Sequence, residues 1–264
     1  MNKKLVALAV GGAFALPFAV QAQTANVTLY GRLNLDMEVV NAKQDLPASG
    51  SPKQNMFFVK SNSSRLGVRG SEALGGGLSA IFQIESAVGA ANGGGLGSSL
   101  GTRETFVGLQ GGWGTFKIGY FLTPYDDIHP IFGNVPTYTT SILSTAALWA
   151  QGPATTDNGG MDNRLGNSMR YDSPVWNGFN GSAQIAVMDS SGVSNQNSGD
   201  HIQELRHAYI TSLAGFYNNG PFQGGLAWQH NEKVRGFNLD DDGLTVAAAW
   251  NFGVIRVAGV YEYT

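Results

Sequence analysis

Thirteen consecutive residues, Val27 to Val39, put Val27, Leu29, Gly31, Leu33, Leu35, Met37 and Val39 on one parity and Thr28, Tyr30, Arg32, Asn34, Asp36 and Glu38 on the other. Successive side chains of a β-strand point to opposite faces, so this run is a strand with one apolar and one polar face. Strands of soluble proteins usually run about five to six residues. Thirteen residues instead suit a tilted span of a bilayer, with one face against lipid and the other against water.

The same pattern recurs along the chain. Residues 64–86, SRLGVRGSEALGGGLSAIFQIES, read as two strands joined by a tight Glu-Ala-Leu-Gly-Gly-Gly turn. With 27–39, the segments 55–70, 78–86, 103–110, 115–120, 166–172, 181–189, 204–217, 223–230, 244–251 and 254–263 make eleven expected strands. Ala183, Ile185 and Val187 alternate with Ser182 and Gln184, and Leu244, Val246, Ala248 and Trp250 alternate with Thr245 and Asn251. Alternation is weaker in 104–110 and 204–212, and facing is not assigned there.

Composition narrows the alternatives. Glycine supplies 37 of 264 residues and charged residues only 13%, which does not suit a helical globular domain. Beyond the first 22 residues no run approaches eighteen apolar residues, so helical spans are excluded. A mean hydropathy of −0.09 is what averaging over a two-residue period produces. The chain has no cysteine, so neither disulfides nor thiolate metal sites hold it together.

Met1 to Ala22 carries Lys3 and Lys4, an uncharged run from Leu5 to Val20 and the ending Val20-Gln21-Ala22, the layout of a cleaved secretory signal. The expected division is a signal peptide at 1–22 and a β-barrel domain at 23–264. Without the signal, basic residues fall from 16 to 14 against 19 acidic ones, a net charge of −5 that argues against nucleic acid as a partner.

The connections alternate in length. Short ones (71–77, 111–114, 173–180, 218–222, 252–253) take turns with long ones (41–54, 87–102, 121–165, 190–203, 231–243). Short turns at one end and long loops at the other are expected of a transmembrane, antiparallel up-and-down β-barrel. Trp113, Trp176, Phe179, Phe222 and Phe252 lie in or beside the short turns, where an aromatic belt meets the headgroups.

Several stretches together resemble the Gram-negative trimeric general porins of the neisserial and burkholderial type. They are VTLYGRLN, SRLGVRGSEALGGGLSAIFQIES, TRETFVGLQGGWGTFKIGY, RLGNSMRYDSP, GFNGSAQIAV and YNNGPFQGGLAW, in the family's order. The resemblance implies a homotrimer in the outer membrane, in contact with its lipid, each barrel having about sixteen strands. It also implies a long third loop that folds inward and narrows the pore. The corresponding loop, 121–165, is the longest and carries Asp126, Asp127, Asp157 and Asp162. In the family an acidic inward loop faces basic side chains on the wall.

Parity proposes that wall. If Leu66 and Val68 face lipid, Arg65 and Arg69 face the lumen, and the same rule turns Arg32, Lys117, Arg170 and Arg256 inward. An Arg or Lys on the lipid face costs roughly 2–4 kcal/mol near the midplane, so an inward set is coherent. As a group these cations are expected to line the pore opposite Asp126 and Asp127; singly, each could instead pair with Asp36, Glu85 or Asp172.

The function this implies is passive diffusion of ions and small hydrophilic solutes, with no catalysis and no cofactor or metal. The chain ends at Thr264 inside the eleventh expected strand, whereas family members continue. The expectation is therefore a C-terminally incomplete porin, a partial open barrel that does not conduct by itself, since unpaired strand edges are not tolerated in hydrocarbon.

Three local motifs compete. Gly97-Ser98-Ser99-Leu100-Gly101 matches a hydrolase nucleophile elbow, but lies in a Gly/Ser-rich loop, and none of His129, His201, His207 and His230 has an evident orienting carboxylate. Residues 238–243 match half of a calcium loop, yet position twelve is Ala249 where glutamate is needed. Gly93 to Gly97 lacks the lysine of a phosphate loop. The alternative readings are a secreted or surface β-sheet binding protein such as an adhesin and, behind it, an outer-membrane hydrolase.

Overall fold

Period-two alternation with glycine-rich turns becomes one long winding antiparallel sheet and a separate two-stranded ribbon. The structure, a computed structural model, describes residues 26–42, 54–91, 94–96, 100–133, 145, 149–150, 161–187, 208–234 and 240–264. The strands are β1 (Asn26–Arg32), β2 (Leu35–Ala42), β3 (Gln54–Ser61), β4 (Arg65–Gly75), β5 (Leu78–Gly89), β6 (Gly94–Leu96) and β7 (Thr105–Gly111). They continue as β8 (Gly114–Leu122), β9 (Arg164–Asp172), β10 (Phe179–Val187), β11 (Tyr209–Asn219), β12 (Phe222–Glu232), β13 (Asp241–Asn251) and β14 (Arg256–Tyr263). The sheet order is β1-β4-β5-β7-β8-β9-β10-β11-β12-β13-β14, with β6 paired to β5 and β2 to β3 in a separate ribbon. Among the described residues β1 and β14 are free edges, so this sheet is open.

Two expected strands are each interrupted. The run 27–39 breaks at Leu33-Asn34, and 55–70 breaks at 62–64, opposite one another. Ser63 takes a positive φ of 51°, which stops the ladder. The gap is bridged by the Asn62 amide donating to the Asn34 carbonyl (2.8 Å) and by the Ser64 hydroxyl, which accepts from the Asn34 amide and donates to its carbonyl (3.0 and 3.1 Å). The strand expected at 254–263 begins at Arg256, because the Phe252 amide donates to the Ile255 carbonyl (2.8 Å) and closes a turn there.

Short connections link β4 to β5, β7 to β8, β9 to β10, β11 to β12 and β13 to β14. At the first, Gly75, Gly76 and Gly77 have φ of 91°, 60° and 80° in open space, so the glycines serve backbone conformation and not packing.

The two faces differ as the alternation requires. Leu66, Val107, Ile118, Met169, Ile185, Leu213, Leu226, Val246 and Val257 project from one face and are exposed. The opposite face carries Arg65, Glu85, Lys117, Arg170, Ser182, Ser212, Gln229 and Thr245, and the long β8–β9 connection packs onto it; it is the inner face. No helix among the described residues is long and apolar enough to cross a membrane. Near the short turns the outer face carries a row of rings: Trp113 stacks on Tyr171 (6.1 Å), and Phe179, Tyr217, Phe222, Trp250 and Phe252 follow at spacings of 4.3, 6.1, 6.2 and 6.3 Å. Trp176 is also exposed beside this row.

Candidate functional site: the inner face and its loop

The described part of the β8–β9 connection begins with Thr123, Pro124 and Tyr125, continues as a 3-10 turn (Asp126–Ile128) and one helical turn, α1 (His129–Phe132), and returns through Trp149, Ala150 and Met161. Asp157 lies outside the described residues. Tyr125, Ile128, Ile131, Phe132, Trp149, Ala150 and Met161 bury themselves against Ala227, Ala247 and Ala249. Small inward residues on β12 and β13 make that landing surface. Gly225 is its closest approach, since a Cβ there would lie 2.6 Å from both Ile128 Cδ1 and Ile131 Cδ1.

Polar contacts fix the loop across several strands. The Tyr125 amide donates to Ser212 Oγ (3.1 Å), Trp149 Nε1 donates to Thr245 Oγ1 (3.2 Å), and Thr123 Oγ1 donates to the Met161 carbonyl (3.1 Å). Glu262 on β14 is the main anchor: its carboxylate accepts from the Tyr125 hydroxyl (2.7 Å) and from the Ala150 amide (3.0 and 3.1 Å). Burial and Glu262 raise the Tyr125 hydroxyl above its usual range. His129 stacks on Trp149 (5.3 Å) and meets Thr145 Oγ1 (2.8 Å); burial lowers its pKa to about 4, so the ring is neutral at pH 7.

The cations fall into distinct settings. Lys117 and Arg170 are paired residues of β8 and β9, and Asp172 accepts from both, at 3.2 Å from Lys117 Nζ and 2.7 Å from Arg170 Nε. Arg170 also binds Asp127 of the loop and donates to the Leu122 carbonyl (3.1 Å). Lys117 Nζ lies over the Phe106 and Phe121 rings at 5.1 and 5.2 Å. Arg65 Nε is 3.7 Å from Glu85, a carboxylate that also takes Arg103 Nε (2.7 Å) and the Tyr30 hydroxyl (3.0 Å). Arg69 lies against the Tyr30 ring at 5.2 Å. Arg32, cross-strand from Arg65 at the β1–β4 pairing, shares its parity with Tyr30. Arg256 points to the inner face and donates to the Ile131 carbonyl (2.5 Å) and to Gln223 Oε1 (2.8 Å), so it clamps α1.

The loop's carboxylates are not equivalent. Asp127 is tied to Arg170. Asp126 has its pKa raised well above the ordinary value by burial, by Asp162 and by Asp127, against the pull of Arg164. Asp162 is pushed up to about 6, chiefly by burial and further by Glu262.

Sequence reasoning overlooked Arg103, Arg164, Glu262 and Trp149. Only Glu262 left a readable trace, as the polar residue between outward Tyr261 and Tyr263. The remaining histidine reading is corrected in one respect: His230 does have a carboxylate partner, Asp242 at 3.0 Å, under a stacked Trp228. That cluster sits on the outer face, with Thr211 the cross-strand neighbour of His230. Gly97, Ser98 and Ser99 of the elbow motif, Gly93 of the glycine run, and residues 238 and 239 of the calcium-like stretch, lie outside the described residues. Asp240 accepts from the Lys233 amide (3.0 Å), an ordinary loop contact.

Comparison with known proteins gives a consistent result. The model of the Gram-negative porin family matches residues 5–264. Outer membrane porin protein 32 of Delftia acidovorans is 30% identical over 265 residues, covering all of this chain and 70% of its own length. Major outer membrane protein P.IB of Neisseria gonorrhoeae is 29% identical over 217 residues, or 82% of this chain and 57% of its own length. The chain thus spans between 57% and 70% of these two relatives. Among solved structures, the anion-selective porin from Comamonas acidovorans aligns with a TM-score of 0.65 at 25% identity, over 90% of this chain and 67% of that one. Salmonella typhi OmpF, solved with daunomycin, shares the fold with a TM-score of 0.58 at 15% identity, over 92% of this chain and 67% of that one.

Proposed function

The chain belongs to the Gram-negative porin family, and from that premise we propose that its strands form the greater part of an outer-membrane channel for passive diffusion of ions and small hydrophilic solutes. The observation that carries this reading is the division of labour between faces. Apolar side chains and a ring row face outward, while cations gather inside, where a loop bearing Asp127 meets Arg170.

Fixed charges in a narrow wet passage sort ions by sign and orient dipolar solutes. Arg69, exposed and without a carboxylate partner among the described residues, is the wall cation best placed for that work, with Arg65 and Lys117 beside it partly offset by Glu85 and Asp172. Arg170 and Arg256 mainly hold the loop, through Asp127 and the Ile131 carbonyl. Arg32 extends the basic wall toward the β1 edge, and Asp126 and Asp127 supply the loop's acidic side. The anion selectivity named for the Comamonas acidovorans structure favours a net positive passage here too. Residues 1–22 act as the export signal, 23–264 form the barrel domain, and three copies associate within outer-membrane lipid.

Planar-bilayer recording tests this. Completed with the further strands of the Comamonas acidovorans porin, the chain is expected to conduct, and Arg65→Gln with Arg69→Gln should move the reversal potential toward cations. An unchanged reversal potential removes both arginines from the path. Failure of the completed barrel to conduct while correctly folded removes the channel reading. Chemical cross-linking in outer-membrane vesicles tests the trimer.

A further inference from the structure

Near the short-turn end of β4, β5 and β7 the inner face holds a hollow of about 390 Å³ whose lining includes none of the described residues of the loop. Ile81 and Phe106 are its apolar floor, and Arg69, Gln83 and Gln110 are among its polar lining. Its size falls within the range of small-molecule sites, roughly 300–1,000 Å³. The other apolar surface described on this face, Ala227, Ala247 and Ala249, is covered by the loop, whereas this floor is open to the hollow.

Arg69 differs from Arg65, Arg103, Lys117 and Arg170, which are all tied to carboxylates, and from Arg256, which is held by the Ile131 carbonyl and Gln223. Arg65 and Arg103 share Glu85, and Lys117 and Arg170 share Asp172. Arg69 is exposed and has no carboxylate partner among the described residues; the Tyr30 ring steadies its guanidinium without neutralising it. An oriented, uncompensated guanidinium beside an aromatic floor is built for a carboxylate attached to a flat apolar body.

We propose that this hollow is a binding station for aromatic monocarboxylates, with the carboxylate on Arg69, the ring on Phe106 and Ile81, and ring substituents within reach of Gln83 and Gln110. The inference rests on the reading that solute wets the inner face, and it adds a solute class to that reading. A small acid such as acetate would meet only Arg69. An aromatic amine would meet the floor with its charge repelled.

The test is fluorine NMR of para-fluorobenzoate with the chain folded in detergent micelles, folding being checked by heat-modifiable migration. Saturable binding in about the millimolar range is expected. Arg69→Gln should weaken it about tenfold and Phe106→Ala about fivefold, with Arg69→Lys retaining part of the affinity. Lys60→Gln, which removes the same charge from β3 outside the hollow, should leave it unchanged. Para-fluorobenzylamine should not bind. Equal binding by Arg69→Gln, equal loss in Lys60→Gln, or a response no larger than that of empty micelles would each overturn the proposal. Micelle binding does not depend on conduction, so a completed barrel that conducts without binding the probe sinks this inference alone. A bound probe with no conductance sinks only the channel reading.

Discussion

Lys117 and Arg170 face each other in register across β8 and β9, two cations on one face held together by the single carboxylate of Asp172. Like charges directly opposite in a sheet are unfavourable. The pair is tolerated because Asp172 takes one oxygen to each and Asp127 of the loop binds Arg170 from the other side. Wall charge and loop position are therefore one network.

Removing the shared carboxylate should cost stability out of proportion to a surface ion pair. Arg170 is only 8% exposed, so Asp172→Asn leaves a largely buried cation with less compensation, at a cost of about 1–3 kcal/mol. Asp242→Asn on the outer face, where the carboxylate is 59% exposed, should cost less than about 0.5 kcal/mol. Thermal loss of the β-sheet signal in detergent measures both, and equal effects would refute the network.

Positions of opposite parity in β8 should respond oppositely to charge. Ile118 projects outward and Thr115 inward. In lipid, Ile118→Lys should cost about 2–4 kcal/mol while Thr115→Lys costs little. Folding yield into vesicles under urea titration is the readout, and equal penalties would refute the assignment of faces.

Gly225 sets how closely α1 approaches the wall. Its missing Cβ would meet the ends of Ile128 and Ile131 at 2.6 Å, so Gly225→Val should displace the helix at a cost of about 1–3 kcal/mol. Greater acrylamide quenching of Trp149, compared through a Trp149→Phe background, reports the displacement. The strand pairing seen by circular dichroism should persist.

Two loop residues should give pH profiles of opposite sign. The Asp162 carboxyl is raised to about 6 in the folded chain, so its contribution to stability is full below its unfolded value of 3.8 and is lost as pH rises through 6. His129 is depressed to about 4, so its contribution is full above 6.5 and is lost as pH falls through 4. Relative to the parent, Asp162→Asn should therefore gain most at pH 7, and His129→Gln should gain most near pH 4. Thermal midpoints across that range check both, and difference profiles of the same sign would refute the assignment.

The faces were legible in the sequence because a strand's side-chain direction depends on nothing beyond parity. Leu66 against Arg65, and Ile118 against Lys117, needed no knowledge of distant residues. The eleven expected strands correspond to the eleven positions along the sheet path, with breaks only at Leu33-Asn34 and at 62–64, where Ser63 turns the backbone. The loop's landing site was not legible. Glu262 meets Tyr125 across 137 positions of chain, and no local pattern encodes a partner at that separation. Nor could parity tell which cations are spent on carboxylates and which, like Arg69, are left open.

Alternation and turn chemistry act over a few residues, and they sufficed for an antiparallel sheet with short turns at one end, an apolar face, and the cations together on the other face. Long-range contacts were needed to lay the loop on β12 and β13, to fasten it through Glu262, and to join two opposed cations at Asp172. Those choices depend on which side chains curvature brings together, and a winding sheet makes neighbours of residues that are remote in the chain.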